Sequence, residues 1–225
     1  MDTLTQQLAD FQAGAAKRFA PERLATMERA TAELRASGIE ATALKVGALL
    51  PGVTLPDASG RVVSLRDLNR QGPLVIVFYR GGWCPYCNLE LREWQRLLPE
   101  LRQTGTQLVA ISPQSPDNSL STAEKNELAF PVLSDSALTA ANAFGVAFNM
   151  PAELIALYAR NGNDLPTVNA NGQWVLPIPA TYLVGDDGHV VYAHVEADYR
   201  QRAEPAELLR LLQNPVTKAA FALPS

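Results

Sequence analysis

Cys84 and Cys87 are the only two cysteines in a chain of 225 residues, and they stand three positions apart in Trp83-Cys84-Pro85-Tyr86-Cys87. A pair this close cannot staple a scaffold, and two cysteines are too few for a disulfide framework. Under reducing conditions a lone Cys-x-x-Cys is a reactive group rather than a structural one. Pro85 suits the first position of a helix, which makes Cys84 its N-cap and Cys87 its third residue. An N-cap thiol faces the positive end of the helix dipole and unpaired backbone N–H groups; both favour the thiolate, the form that attacks. The expectation is an exposed, nucleophilic Cys84 with a lowered pKa. Cys87, one turn on, is expected to be more buried and placed to attack a mixed disulfide. Trp83 supplies an apolar wall beside them.

A zinc site is the competing chemistry, because His189 and His194 could complete a four-ligand set with the two cysteines. The interval between the pairs is far longer than in a zinc finger, and the histidines fall five apart on a predicted strand, hence on opposite faces. The reading is therefore no metal and no cofactor. An inert core pair is the other alternative, and it sits poorly with a Trp-flanked helix start.

The elements that must hold this pair follow from periodicity. Leu74 to Tyr79 is a continuous apolar, β-rich run, as expected of a buried central strand. Arg80-Gly81-Gly82 breaks it, and a helix with Leu91, Trp94, Leu98 and Leu101 on one face follows. Val53 to Leu55 and Val62 to Leu65, joined around Ser59-Gly60, predict a hairpin. Leu108 to Ile111 and Val132-Leu133 predict strands, and Ser121-x-x-Glu124 a capping box. Ser136 to Phe144 and Pro151 to Arg160 predict helices, and Asn163 to Gln173 a loop. Thr181 to Val184 and His189 to Val195 flank the Asp186-Asp187-Gly188 turn, and Glu204 to Leu212 closes the order as a helix.

Upstream, Leu4, Leu8, Phe11, Ala15 and Phe19 form one helical stripe, and Leu24, Met27, Thr31 and Leu34 a second, ended by Ser37-Gly38. This pair reads either as a cap on the following domain or as a dimer arm that would make a homodimer. The domain reading is an N-terminal helical extension over 1–40 and a redox domain over 41–225, with an insertion around 147–178. The fold class is α/β, a mixed sheet with helices on both faces.

Composition narrows the partners. The chain is 47% hydrophobic and 19% charged, inside the globular range. Its net charge, 19 − 23 = −4, gives no footprint for nucleic acid. No apolar run is long enough to span a membrane, and residues 1–20 carry no signal-peptide pattern. The expected location is cytoplasmic.

The segment Phe78-Tyr79-Arg80-Gly81-Gly82-Trp83-Cys84-Pro85-Tyr86-Cys87 resembles the active-site segment of peroxiredoxin-like proteins of the alkyl hydroperoxide reductase / thiol-specific antioxidant family. The resemblance extends through Leu49 to Leu68, Ile111-Ser112-Pro113, Phe130 to Asp135, Phe144-Gly145-Val146 and Pro177 to Val184, roughly residues 45 to 212. It implies a thioredoxin-like fold and thiol redox catalysis. Family members arrange their site as Pro-x-x-x-Thr-x-x-Cys. In that register Arg80 takes the proline position, Cys84 the threonine position and Cys87 the peroxidatic position. Where the family sets an arginine facing the thiol, this chain reads Pro179-Ala180-Thr181, which is similar to the cis-proline loop of thioredoxins and predicts a cis Pro179.

The implied activity is peroxide reduction through a Cys84/Cys87 dithiol–disulfide cycle, with thioredoxin, glutaredoxin or glutathione as thiol reductant. The alternatives are a protein disulfide reductase and a non-catalytic binding protein on the same fold. Helix position favours Cys84 as nucleophile and the family register favours Cys87. Arg80, Trp83, Pro85, Tyr86, Pro179, Ala180 and Thr181 are the expected site-shaping residues. No buried carboxylate to accept a proton is visible in the run Leu74 to Tyr79.

Overall fold

The computed structural model describes residues 2–214. The chain begins with four helices, α1 (Leu4–Ala13), α2 (Ala15–Arg18), α3 (Pro21–Ala36) and α4 (Ile39–Thr42). The hairpin strands β1 (Thr54–Pro56) and β2 (Val62–Ser64) and the short α5 (Leu65–Asn69) follow. Next come β3 (Leu74–Phe78), α6 (Pro85–Gln103), β4 (Gln107–Ser112), α7 (Pro116–Lys125), β5 (Val132–Ser134) and α8 (Thr139–Ala143). The segment after α8 contains β6 (Ala147–Asn149), α9 (Ala152–Arg160), α10 (Leu165–Val168) and β7 (Val175–Pro177). The last elements are β8 (Ala180–Val184), β9 (Val190–Val195) and α11 (Pro205–Gln213).

Five strands form the main sheet in the order β5-β4-β3-β8-β9. β3 runs parallel to β4 and antiparallel to β8, so the sheet is mixed and β3 lies at its centre. All five residues of β3 are buried, as its unbroken apolar run requires. Successive side chains alternate between two cores. Leu74, Ile76 and Phe78 join one with Ala140, Phe144 and Tyr182, and Val75, Val77 and Tyr79 join the other with Leu91, Trp94 and Leu208. The second core also takes in Leu4 and Leu8 of α1 and both cysteines. The N-terminal stripe is thus packed on α6, and it is broken at Gly14 into two helices.

Several sequence expectations differ from the structure. Ser121 lies inside α7 and bonds back to the Asp117 carbonyl; the helix starts earlier because Ser115 caps it, accepting from the Asn118 N–H, and Pro116 occupies the first turn. The helix expected from Ser136 shrinks to α8, because Leu138 takes a left-handed conformation ahead of it. The predicted loop over 163–173 contains the short α10. β6 and β7 pair antiparallel and draw together the two ends of the intervening segment; strands of three residues carry too little alternation to be read from sequence. Pro179 is trans, against the expected cis bond. Only Ile178 and Pro179 separate β7 from β8, and the residue before a proline prefers extended backbone.

Candidate active site

The site forms where β3 gives way to α6. Gly81 adopts φ 144°, and a Cβ there would stand 2.3 Å from Trp83 Nε1, so the tight bend requires glycine. Gly82 is held on both sides of its peptide: its N–H donates to Gln114 Oε1 at 2.7 Å, and its carbonyl accepts from Asn88 Nδ2 at 2.8 Å. The chain then returns through Cys84, whose N–H bonds the Gly81 carbonyl and whose carbonyl accepts the Asn88 N–H of the first helical turn. Cys84 is the N-cap of α6 and Pro85 its first residue, as the sequence predicts.

Both cysteines are free thiols. The Cys84 pKa is lowered to about 6, first by a hydrogen bond from the Cys87 thiol and further by the Arg80 and Arg202 charges, against the opposing effect of burial. Burial pushes Cys87 the other way, well above its ordinary value, and its bond to the Cys84 thiolate and the charge there reinforce this. The pair is thus divided into one thiolate and one thiol.

The expected exposure of Cys84 is overturned: it is 2% exposed, and Cys87 is fully buried. The N-terminal extension contributes to this cover, with Leu4 and Leu8 in the same core as Cys84. A cavity of about 200 Å³ against Cys84 is walled by Phe11, Phe19, Leu24 and Met27 from α1 to α3 together with Trp83 and Tyr86. Phe11 meets Tyr86 edge-on with ring centroids 5.0 Å apart, and the Arg18 guanidinium lies 3.9 Å over the Phe11 ring. Glu204, ahead of α11, anchors the start of α1 by accepting from the Thr5 N–H and hydroxyl.

Arg80 is 3% exposed, not a surface residue. Its Nη2 donates to Tyr158 Oη at 2.6 Å, and its guanidinium stacks over Trp83 at 5.1 Å and Tyr199 at 4.6 Å. Tyr158 belongs to α9, so the segment between β6 and β7 reaches the site. Burial works against the Arg80 charge, but the phenol and thiol groups around it hold its pKa above the ordinary value.

Two charged residues here were not among those expected. Arg202 donates to Cys87 Sγ at 3.4 Å and, through Nε, to Glu90 Oε2 at 2.6 Å. Arg202 is 7% exposed and Glu90 fully buried. Burial raises the Glu90 carboxyl to about 7, with Arg202 pulling it down and Cys87 pushing it up. Glu90 lies three residues after Cys87 on the stripe that continues through Leu91 and Trp94, a spacing that signals a carboxylate on the buried face. Arg202, in the connection between β9 and α11, carries no such local signal.

The structure brings together Arg80, Trp83, Cys84, Pro85 and Tyr86 around the smaller cavity, with Cys87 behind them. Pro179 lines a neighbouring cavity instead. Ala180 packs into the core on the other side of the sheet, and Thr181 is a buried ladder residue paired with Val77 and His194. The segment Pro179-Ala180-Thr181 therefore does not line the Cys84 cavity.

Comparisons with known proteins bear on the family and the fold. A model of the AhpC/TSA family matches residues 46–193. The thiol-disulfide oxidoreductase ResA of Halalkalibacterium halodurans is 22% identical over 158 residues, 70% of this chain and 71% of that protein. Rv2521 of Mycobacterium tuberculosis, whose name gives it provisionally as a peroxiredoxin, is 34% identical over 140 residues, 61% of this chain and 76% of that protein. In fold, the chain is similar to the peroxidoxin BcpB of M. tuberculosis, with TM-score 0.60 and 22% identity over 81% of this chain and 99% of that one. A PrxQ of Xylella fastidiosa gives TM-score 0.60 and 21% identity, covering 76% of this chain and 96% of the other.

Proposed function

The chain belongs to the AhpC/TSA family, and on that premise we propose that its thiol-based antioxidant chemistry runs through Cys84 as nucleophile and Cys87 as resolving thiol. The carrying observation is the division of the pair: a thiolate-favouring Cys84 at a helix N-cap beside a small cavity, and a protonated Cys87 one turn behind it. Cys84 thiolate attacks the terminal oxygen of a hydroperoxide ROOH. An S–O bond forms, the O–O bond breaks, and the alkoxide leaves to be protonated as ROH, with Cys84 as sulfenic acid. Cys87 then attacks that sulfur. Its proton leaves with the hydroxyl as water, the Cys84–Cys87 disulfide forms, and a thiol reductant returns two electrons and two protons.

The N-terminal helices favour a small oxidant over a protein disulfide. A substrate disulfide must present its sulfur in line to the thiolate, and a residue 2% exposed beside a cavity lined by Phe11 and Phe19 admits a small oxidant more readily than a polypeptide. Disulfide reduction is the second reading, supported by the lowered pKa of the first cysteine in the pair, and under this roof it is confined to small disulfides. Among the described residues no helix is long and apolar enough to cross a membrane. A cycling dithiol fits the cytoplasm, where thioredoxin, glutaredoxin or glutathione can restore it. The N-terminal helices act here as a cap, which leaves the homodimer without support from them.

The test is hydrogen peroxide against a small disulfide and against a protein disulfide, with Cys84→Ser and Cys87→Ser in parallel. The expected result is consumption of peroxide by the wild type, none by Cys84→Ser, and a trapped sulfenic acid on Cys84 in Cys87→Ser. A sulfenic acid forming on Cys87 in Cys84→Ser would reverse the assignment.

A further inference from the structure

A second cavity, of about 330 Å³, adjoins the first but does not reach the thiols. Its walls are apolar: Leu34 and Ile39 from the N-terminal helices, Phe148 and Leu154 from the β6–β7 segment, and Ile178 and Pro179 before β8. This volume falls within the range of roughly 300–1,000 Å³ typical of small-molecule sites. Arg80, Met27, Tyr158 and Tyr199 line both cavities, so one buried cation faces two spaces.

Arg80 is under-satisfied for a buried guanidinium. It has five N–H donors, yet it makes one hydrogen bond, to Tyr158, and its Nε has no partner. Among the described residues no carboxylate lies within ion-pair distance of it, and the negative charge near it is that of the Cys84 thiolate. In the reduced protein the Cys84 thiolate balances Arg80. When peroxide oxidises the pair, both sulfurs become neutral, and Arg80 is left as a buried cation without a counter-ion, a costly arrangement.

We propose that the larger cavity binds a small apolar carboxylate, with the carboxylate on Arg80 and the hydrocarbon body among Leu34, Phe148 and Leu154, and that the oxidised protein binds it more tightly than the reduced. A phosphate fits less well. Arg80 is the one cation among the lining residues, the walls offer few donors, and the exposed Glu33 is the one lining carboxylate and repels a dianion more strongly than a monoanion. By linkage, a ligand that prefers the disulfide form stabilises that form by the same factor, so it shifts the equilibrium away from the dithiol. The proposal rests on the reading of Cys84 as a thiolate that is lost on oxidation.

The experiment measures octanoate binding by calorimetry at neutral pH to the reduced protein, the peroxide-oxidised protein and Cys84→Ser, with octanol as the uncharged probe. The oxidised protein and Cys84→Ser are expected to bind octanoate at least about fivefold more tightly than the reduced wild type, the lower end of ordinary coupling between sites. Octanol is expected to bind all three alike and weakly. Leu34→Trp, which fills this cavity and does not line the other, is expected to lose octanoate binding and keep peroxide turnover. Equal octanoate affinity for reduced wild type and Cys84→Ser overturns the proposal, as does octanol binding as tightly as octanoate, or unchanged octanoate binding by Leu34→Trp. A protein that forms no disulfide with peroxide refutes the catalytic reading instead, and the comparison of Cys84→Ser with reduced wild type still decides the cavity.

Discussion

Arg202 donates to the sulfur of Cys87 at 3.4 Å although 115 positions separate the two in the chain. The same guanidinium holds Glu90, so a cation and a carboxylate act together on the resolving thiol. Replacing Arg202 with Met removes a charge that pulls the Cys87 pKa down. Arg202→Met is expected to slow closure of the disulfide, and a sulfenic acid on Cys84 should persist long enough to be trapped and counted by mass spectrometry. Closure at the wild-type rate would confine Arg202 to a packing role.

Glu90→Gln acts in the opposite direction. It removes the negative charge that Cys87 faces and keeps an acceptor for Arg202. Measured in a Cys84→Ser background, the pH midpoint of Cys87 alkylation is expected to fall on adding Glu90→Gln and to rise on adding Arg202→Met. Two shifts of the same sign would contradict this electrostatic account.

Reaction of Cys84 follows its own titration. With its pKa lowered to about 6, alkylation by iodoacetamide should be flat above pH 7 and fall by about tenfold per unit well below pH 6. The same shift bears on stability. The folded-state pKa is depressed, so the contribution is fully present above the unfolded thiol value of about 8.5 and is lost as pH falls through about 6. Cys84→Ser should flatten that part of the stability–pH curve, as read from urea midpoints.

Loosening the roof should change which reagents get in. Phe11→Ala removes the ring set edge-on against Tyr86 and opens the wall of the Cys84 cavity. The expected cost is about 2 kcal/mol, below the roughly 3–5 kcal/mol of a fully buried Phe→Ala change, because Phe11 is only half-buried. The rate of Cys84 with a bulky maleimide should rise more than the rate with iodoacetamide, and reduction of a protein disulfide should become measurable. A proportional rise in both alkylation rates would mean that Phe11 sets stability and not size selection.

Gly81→Ala tests the bend itself. The new Cβ would meet the Trp83 indole nitrogen at 2.3 Å on a backbone at φ 144°, which few side chains adopt. Loss of activity is expected together with a changed Trp fluorescence spectrum and a lower Tm. A variant with the wild-type spectrum and rate would show that the loop yields cheaply.

The chemistry was legible in the sequence because it is local. Cys84, Pro85 and Cys87 lie within one helical turn, and the apolar run of β3 announces the strand that carries them. Glu90 was within reach of the same reasoning, being a carboxylate three residues along the buried face of α6. Arg202 was not, because its role depends on how the connection after β9 folds back over α6. The stripe of Leu4, Leu8 and Phe11 reads as an amphipathic helix from its spacing, but spacing says nothing of what the apolar face covers. For that reason the sequence places Cys84 in solvent, whereas it is buried in a core that Leu4 and Leu8 share.

Phe11, Phe19 and Met27 line the same small space as Cys84, so on the proposed cycle both half-reactions share it. The oxidant that arrives, the alcohol or water that leaves and the thiol that regenerates the pair must take turns in a space of about 200 Å³. A space of that size suits a small thiol better than the surface of a folded protein. Glu204 fastens the start of α1 through Thr5, so a contact that touches neither sulfur helps to hold the wall that Phe11 contributes beside Cys84.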